Sequence, residues 1–181
     1  MFEEPYISRE DSMLLRRALE GMSGESILEI GIGSGSNLIS VSSRFSVTVG
    51  TDLQKTFGFQ ALDYPNIEVV RTDRAKCFKD QSFDVVAMNP PYLPSNGIED
   101  NAIDGGETGI EVPLLFLEEA QRVAKKEGKI AIVLSSESDL NRFRTYCAEK
   151  KLIVDIIAKR ELFAEVLYVF ELRFVSKSFV K

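Results

Sequence analysis

Asn89-Pro90-Pro91-Tyr92 holds the residue types best suited to chemistry in this 181-residue chain. One amide side chain and two proline carbonyls present hydrogen-bond acceptors, and the prolines stiffen the turn that carries them. A rigid cluster of acceptors suits a substrate that offers an NH2 group. The preceding segment, Phe83-Asp84-Val85-Val86-Ala87-Met88, reads as a short buried strand of a parallel sheet. Neither proline can donate to a ladder, and Pro90 restricts Asn89 to an extended conformation, so the strand stops there. The carboxyl ends of strands are where open α/β sheets bind their ligands.

A second constellation lies upstream. Ser26-Ile27-Leu28-Glu29-Ile30 is an apolar strand that runs into Gly31-Ile32-Gly33-Ser34-Gly35, followed by a plausible helix from Ser36 to Ser43. Glycines at alternate positions let the backbone turn tightly and approach a ligand closely. Their spacing is Gly-x-Gly-x-Gly, not the Gly-x-Gly-x-x-Gly of dinucleotide sites. Glu29 also places a negative charge where a pyrophosphate would sit, so a cationic ligand without phosphates fits better. The next strand, Val47 to Asp52, ends in an acid about 20 residues after the glycines, the spacing at which a carboxylate accepts from ribose hydroxyls. The third, Asn66 to Asp73, again ends in Asp, placed to receive the exocyclic amine of an adenine.

The elements that must position these groups alternate between strand and helix, which indicates an α/β sheet. Arg9 to Leu19 reads as an opening helix. Ile110 to Ala120 has apolar residues at helical spacing, and Arg122, Lys125 and Lys126 before Gly128 read as its basic carboxyl end. Lys129–Leu134 is a fifth strand and Ser138 to Lys150 another helix. Val154–Ala158 and Val166–Leu172 are joined by a link too short for a parallel crossover, so they form an antiparallel pair at the sheet edge. Leu93 to Gly109 is the least structured stretch, and its position after Tyr92 suggests a lid. The length and a hydrophobic content of 44% bound one domain spanning 1–181. It divides into an opening helical extension to about residue 24, a first half to about 80 and a second half from about 81.

These motifs resemble a known family. Glu29 to Gly35, Asp52, Asp73 and Asn89-Pro90-Pro91-Tyr92 look like the signatures of class I S-adenosylmethionine-dependent methyltransferases that modify amino-group nitrogens. Glu4-Pro5-Tyr6, Arg9-Glu10-Asp11-Ser12 and Leu14-Leu15 resemble the opening of HemK-type glutamine methyltransferases, in their short archaeal and eukaryotic branch. Gly105-Gly106-Glu107-Thr108-Gly109 resembles the Gly-Gly-x-x-Gly turn of that family. The resemblance implies a Rossmann-like, seven-stranded, mostly parallel sheet with helices on both faces and one antiparallel strand near the edge. It implies S-adenosyl-L-methionine as cofactor, with Glu29 and Gly31 on its methionine portion, Asp52 on the ribose and Asp73 on the adenine. Ser12, Gly33, Leu53, Arg74 and Asn89 complete the expected cofactor contacts. Asn89, Pro90, Pro91 and Tyr92 would hold the substrate amide, and Asn89, Pro90 and Tyr92 would act in catalysis. The implied substrate is a glutamine in a peptide-chain release factor, and the implied partner is a small zinc-binding activator subunit. In the strand order expected for the fold, the third strand lies outermost, with backbone groups open to that partner.

Asn-Pro-Pro-Tyr is shared with nucleic-acid N-methyltransferases, so an exocyclic amine of adenine or guanine in RNA or DNA stays open as the acceptor. A non-enzymatic cofactor-binding subunit is a third reading, opposed by the intact Asn-Pro-Pro-Tyr. The net charge of −6 and pI of about 4.9 shift the balance from nucleic acid toward protein. The chain contains no histidine, which excludes Ser-His-Asp and Cys-His mechanisms. Cys77 and Cys147 stand far apart, as reduced thiols would, with no zinc-ligand spacing. No run of 18 apolar residues and no signal pattern stands out, so a cytoplasmic protein without membrane association is expected.

Overall fold

The computed structural model describes residues 10–54, 63–95 and 103–175. The elements are α1 (Glu10–Leu19), β1 (Ser26–Ile30), α2 (Ser36–Val41), β2 (Val47–Asp52), β3 (Ile67–Arg71), β4 (Phe83–Met88), α3 (Glu111–Val123), β5 (Ala124–Ser135), α4 (Leu140–Glu149), β6 (Leu152–Glu161) and β7 (Val166–Phe174). The strands form one seven-stranded sheet in the order β3-β2-β1-β4-β5-β7-β6. The first five strands pair in parallel, and β7 runs antiparallel to both β5 and the edge strand β6. This is the expected class I methyltransferase architecture. The third strand is outermost, as the expected order requires.

Alternation along the central strands explains why both faces are covered. Leu28, Ile30, Val86, Met88, Ile130 and Ile132 pack with Leu117, Ala120 and Val123 of α3 and Phe143 and Cys147 of α4. Their neighbours Ile27, Val85, Ala87, Ala131 and Val133 pack with Leu14, Leu15 and Leu19 of α1 and Leu38 and Val41 of α2. Apolar side chains therefore point to both sides of each strand, and the continuous apolar runs read as strands follow from that double burial. Among the described residues, no helix is long and apolar enough to cross a membrane.

Three boundaries differ from the expectation. The helix read as ending in Lys125-Lys126 stops at Val123, and Ala124 is already extended. Gln81 N–H and Ser82 N–H donate to the carbonyls of Arg122 and Val123 at 3.0 and 2.7 Å, so a neighbouring turn satisfies the helix end. Lys125 instead joins β5 and pairs with Asp84 at 2.9 Å. The third strand ends at Arg71, leaving Asp73 in the turn beyond it. The final strands run to Glu161 and Phe174, longer than their apolar stretches, because hairpin pairing extends through polar residues.

Candidate active site

The carboxyl ends of the parallel strands open into a cleft of about 1240 Å3. Ser12, Glu29, Gly31, Gly33, Asp52, Leu53, Asp73, Arg74, Asn89, Pro90, Pro91 and Tyr92 all line it. Residues spread over the first half of the sequence are thus brought to one surface by the sheet. Glu4-Pro5-Tyr6 and Arg9 lie outside the described residues, as does the middle of the 93–109 stretch read as a lid.

On one side of the cleft, β1 delivers Glu29 and then the glycine turn. Gly31 and Gly33 have φ of 77° and 54°, backbone that a side chain would strain. The Gly31 and Ile32 N–H groups donate to Thr51 O at 2.8 Å, tying the turn to the end of β2. Asp52 completes the tie, since its carboxylate accepts from Gly33 N–H and from Gln54 N–H, both at 3.1 Å. A carboxylate has lone pairs beyond those two bonds, so Asp52 can still accept from a ligand hydroxyl.

Glu29 is buried, and Asn37 of α2 donates to its Oε1 at 2.7 Å. Its Oε2 and the Asn37 Oδ1 have no partner. Burial pushes the Glu29 carboxyl up to about 8, against the opposing influence of Asn37 and the more distant Arg16 charge. Burial thus works against the standing negative charge that the sequence suggested here. A cation entering the cleft would reverse that balance. Two unpartnered oxygens, the carboxyl's own Oε2 and the Asn37 Oδ1, are a poor place for a phosphate and a good one for an ammonium group.

Asp73 stands at the rim of the cleft. Its contact with Lys76, together with the nearby Arg74, holds its carboxyl below the usual range. An adenine amine there would share an acid already engaged by two cations. Leu53, 63% exposed, offers an apolar surface at the same rim.

The opposite wall is built differently. Asn89 Oδ1 is buried without a partner at the end of β4. Around it the turn is pinned at several points. Tyr92 O–H donates to Asp11 Oδ2 at 3.1 Å, and Ser138 Oγ donates to Tyr92 O at 2.7 Å. The Gly-Gly-x-x-Gly turn packs directly on Tyr92. A Cβ at Gly105 would come 2.8 Å from the Tyr92 backbone, and one at Gly109 would come 2.5 Å from its carbonyl oxygen. Only glycine permits that approach. Glu111 in turn fixes this glycine segment. Its burial disfavours the charged form, but Thr108 N–H and O–H at 3.0 and 2.9 Å, together with Arg142, draw its carboxyl down to about 2.

Asn37, Asp11, Ser138 and Glu111 were not singled out as site residues from the sequence. Asp11 stood in the opening motif beside Ser12, and Glu111 directly after the glycine turn. Asn37 and Ser138 had no local signal, because their partners are distant in the chain or in a strand facing them.

Residues 40–163 match the family model of the Eco57I restriction-modification methylase. A Methanocaldococcus jannaschii chain named as a candidate protein N5-glutamine methyltransferase is 32% identical over 145 residues, covering 74% of this chain and 73% of that one. The Mtq2–Trm112 complex of E. cuniculi, described as methylating the eRF1 translation termination factor, superposes with a TM-score of 0.77 at 26% identity, covering 95% of this chain and 99% of that one. A Haloferax volcanii methyltransferase candidate solved with the Trm112 activator shares the fold, with a TM-score of 0.62 at 16% identity over 88% of this chain and 89% of that one. The similarity to the E. cuniculi structure spans the seven-stranded sheet and its helices, covering 95% of this chain. The chain belongs to the class I S-adenosylmethionine-dependent N-methyltransferases, in the HemK-type protein-glutamine branch.

Proposed function

We propose that this enzyme methylates the side-chain amide nitrogen of a glutamine in a peptide-chain release factor. The observation that carries the reading is the orphaned, buried Asn89 Oδ1 at a turn pinned by Tyr92, Ser138 and two glycines. A buried acceptor without a donor is costly unless a ligand supplies one. An amide NH2 supplies two. Asn89 Oδ1 and the Pro90 carbonyl each accept one N–H hydrogen, and Pro91 keeps the turn stiff behind them. Because the amide nitrogen's lone pair is delocalised into its carbonyl, the gain comes from alignment and from stabilising positive charge as it develops on nitrogen. Tyr92, held by Asp11, packs against the amide plane and keeps water out. As the N–C bond forms, the methyl's bond to the departing sulfur would break. The surplus proton would leave the nitrogen for solvent after transfer, so no general base is required before attack, consistent with a chain that has no histidine.

S-Adenosyl-L-methionine, when bound, supplies an electrophilic methyl group on a sulfonium. The donor set of the first wall fits it. Glu29 Oε2 and Asn37 Oδ1 would accept from its ammonium, Gly31 and Gly33 leave room along the turn, and Asp52 would accept from the ribose hydroxyls. Asp73, Arg74 and Leu53 would border the adenine, and Ser12 closes the cleft from α1.

A small zinc-binding activator fits the exposed edge of β3. Ile67 to Arg71 pairs only with β2 among the described residues, and two relatives are solved with the Trm112 subunit. A partner strand added there would extend the sheet. The isolated chain should then be less active than the pair. A cytoplasmic setting follows from a release-factor substrate.

The restriction-methylase family match favours a second reading, transfer to an exocyclic base amine in DNA or RNA. The net charge of −6 opposes it. Methyl-transfer assays on purified release factor, total RNA and DNA, each with the activator subunit present, decide between them. Label at a release-factor glutamine supports the proposal; label in nucleic acid alone contradicts it.

A further inference from the structure

Phe163 stands wholly in solvent, with a relative exposure of 109%, at the tip of the β6–β7 hairpin. It is the most exposed of the large hydrophobic side chains among the described residues. The tip is not loose. Leu162 N–H donates to Glu165 O at 2.8 Å, Ser135 Oγ donates to Glu165, and Val166 N–H donates to Ser136 Oγ at 2.9 Å. Leu162 packs inward against the α1 side of the core, and Arg160 pairs with Glu10 at the start of α1. The fold thus turns Leu162 in and holds Phe163 out on a fixed support.

Its position says what covers it. Ser135, at the carboxyl end of β5, pairs with Leu167, so the hairpin tip lies at the end of the sheet where Asn89 sits. Leu162, Glu165 and Leu167 line the same cleft as Asn89. The hairpin is at the β6 side of the sheet, opposite the β3 edge. A subunit paired with β3 would therefore leave this tip to the substrate. We infer that Phe163 is a docking anchor for the folded protein substrate, inserting into an apolar recess beside the loop that carries the accepting glutamine. The inference rests on the protein-substrate reading above. Charge favours that occupant over a nucleic acid. The hairpin's cations Lys159 and Arg160 are each paired with a carboxylate, and Glu10 and Glu165 line the adjoining cleft. An exposed aromatic on a hydrogen-bonded turn in such surroundings suits an apolar protein surface better than a phosphate backbone.

The test uses Phe163→Ser and Phe163→Leu, each with the activator subunit, in steady-state methylation of intact release factor. Phe163→Ser should raise KM for the factor by about tenfold or more. Turnover at saturation, affinity for S-adenosylmethionine, melting temperature and co-elution with the activator should stay as in the wild type. Phe163→Leu should recover most of the loss. An unchanged KM for Phe163→Ser on a factor that the wild type methylates overturns the anchor alone. Loss of activator co-elution would assign Phe163 to that subunit and also overturn it. A wild-type enzyme that transfers nothing to the factor sinks the proposed function itself.

Discussion

The two walls of the cleft are made by opposite means. The wall formed by the ends of β1 and β2 presents groups that folding leaves unsatisfied, above all Glu29 Oε2 and Asn37 Oδ1. The wall formed by the end of β4 is held rigid at nearly every point, through Asp11, Ser138, Gly105 and Gly109, with Asn89 Oδ1 as its open acceptor. The first wall is prepared for charge and the second for geometry. A ligand completes the first electrostatically, whereas the second is already shaped before anything arrives. Substitutions on the two walls should therefore fail in different ways: affinity on one, rate on the other.

The largest effect is expected at Asn89. Asn89→Ala should lower turnover by about 10²-fold or more, the scale of losing one group that stabilises the transition state. Its affinity for S-adenosylmethionine should stay near that of the wild type. A variant that keeps most of its turnover would remove the geometric role from that wall.

Glu29→Gln should weaken S-adenosylmethionine by about 10- to 100-fold, the range for a hydrogen bond to a charged group. The ligand-free protein should respond in the other direction. Burial raises the folded carboxyl to about 8 from an ordinary 4.5. Its contribution to stability is therefore fully present below about pH 4.5 and is lost as pH rises toward 8. Glu29→Gln removes that loss, so its melting temperature should exceed the wild type's at pH 8 and approach it at pH 5. Parallel melts at both pH values check this; a gap that does not grow with pH contradicts the buried neutral acid.

Asp52→Ala should weaken the cofactor by at least about tenfold, the lower end for two bonds from hydroxyls to a carboxylate. Calorimetry showing unchanged affinity would take Asp52 out of the site. The smallest expected effect belongs to the supports. Ser138→Ala deletes one neutral hydrogen bond to the Tyr92 carbonyl, so turnover should fall by about three- to tenfold with affinity unmoved. A fall in affinity instead would mean that the pinned wall also contacts the cofactor.

The same contrast governs what could be read from the sequence. The sheet was legible because its strands are short apolar runs bounded by glycine, proline and acids, and the antiparallel ending followed from the short link before Val166. Most of the candidate site residues were legible because they sit at or just beyond the ends of such strands. Their supports were not. Ser138 matters only because α4 begins opposite Tyr92, and Asn37 only because α2 packs beside β1; neither relation has a local spacing. The upward push on the Glu29 carboxyl was hidden for a related reason, since the letter Glu carries no burial. The false helix end at Lys125-Lys126 shows the converse. A basic stretch at a plausible helix end is a local signal, but Asp84, some forty residues earlier, claims Lys125 instead.

One crossed measurement tests the division most directly. Wild type, Glu29→Gln and Asn89→Ala are each compared, with the activator subunit, for calorimetric affinity and for single-turnover methylation of release factor at saturating S-adenosylmethionine. Glu29→Gln should shift the affinity and nearly recover the wild-type rate once saturated, while Asn89→Ala should keep the affinity and lose about 10²-fold in rate. Both variants losing affinity and rate in equal measure would contradict that division.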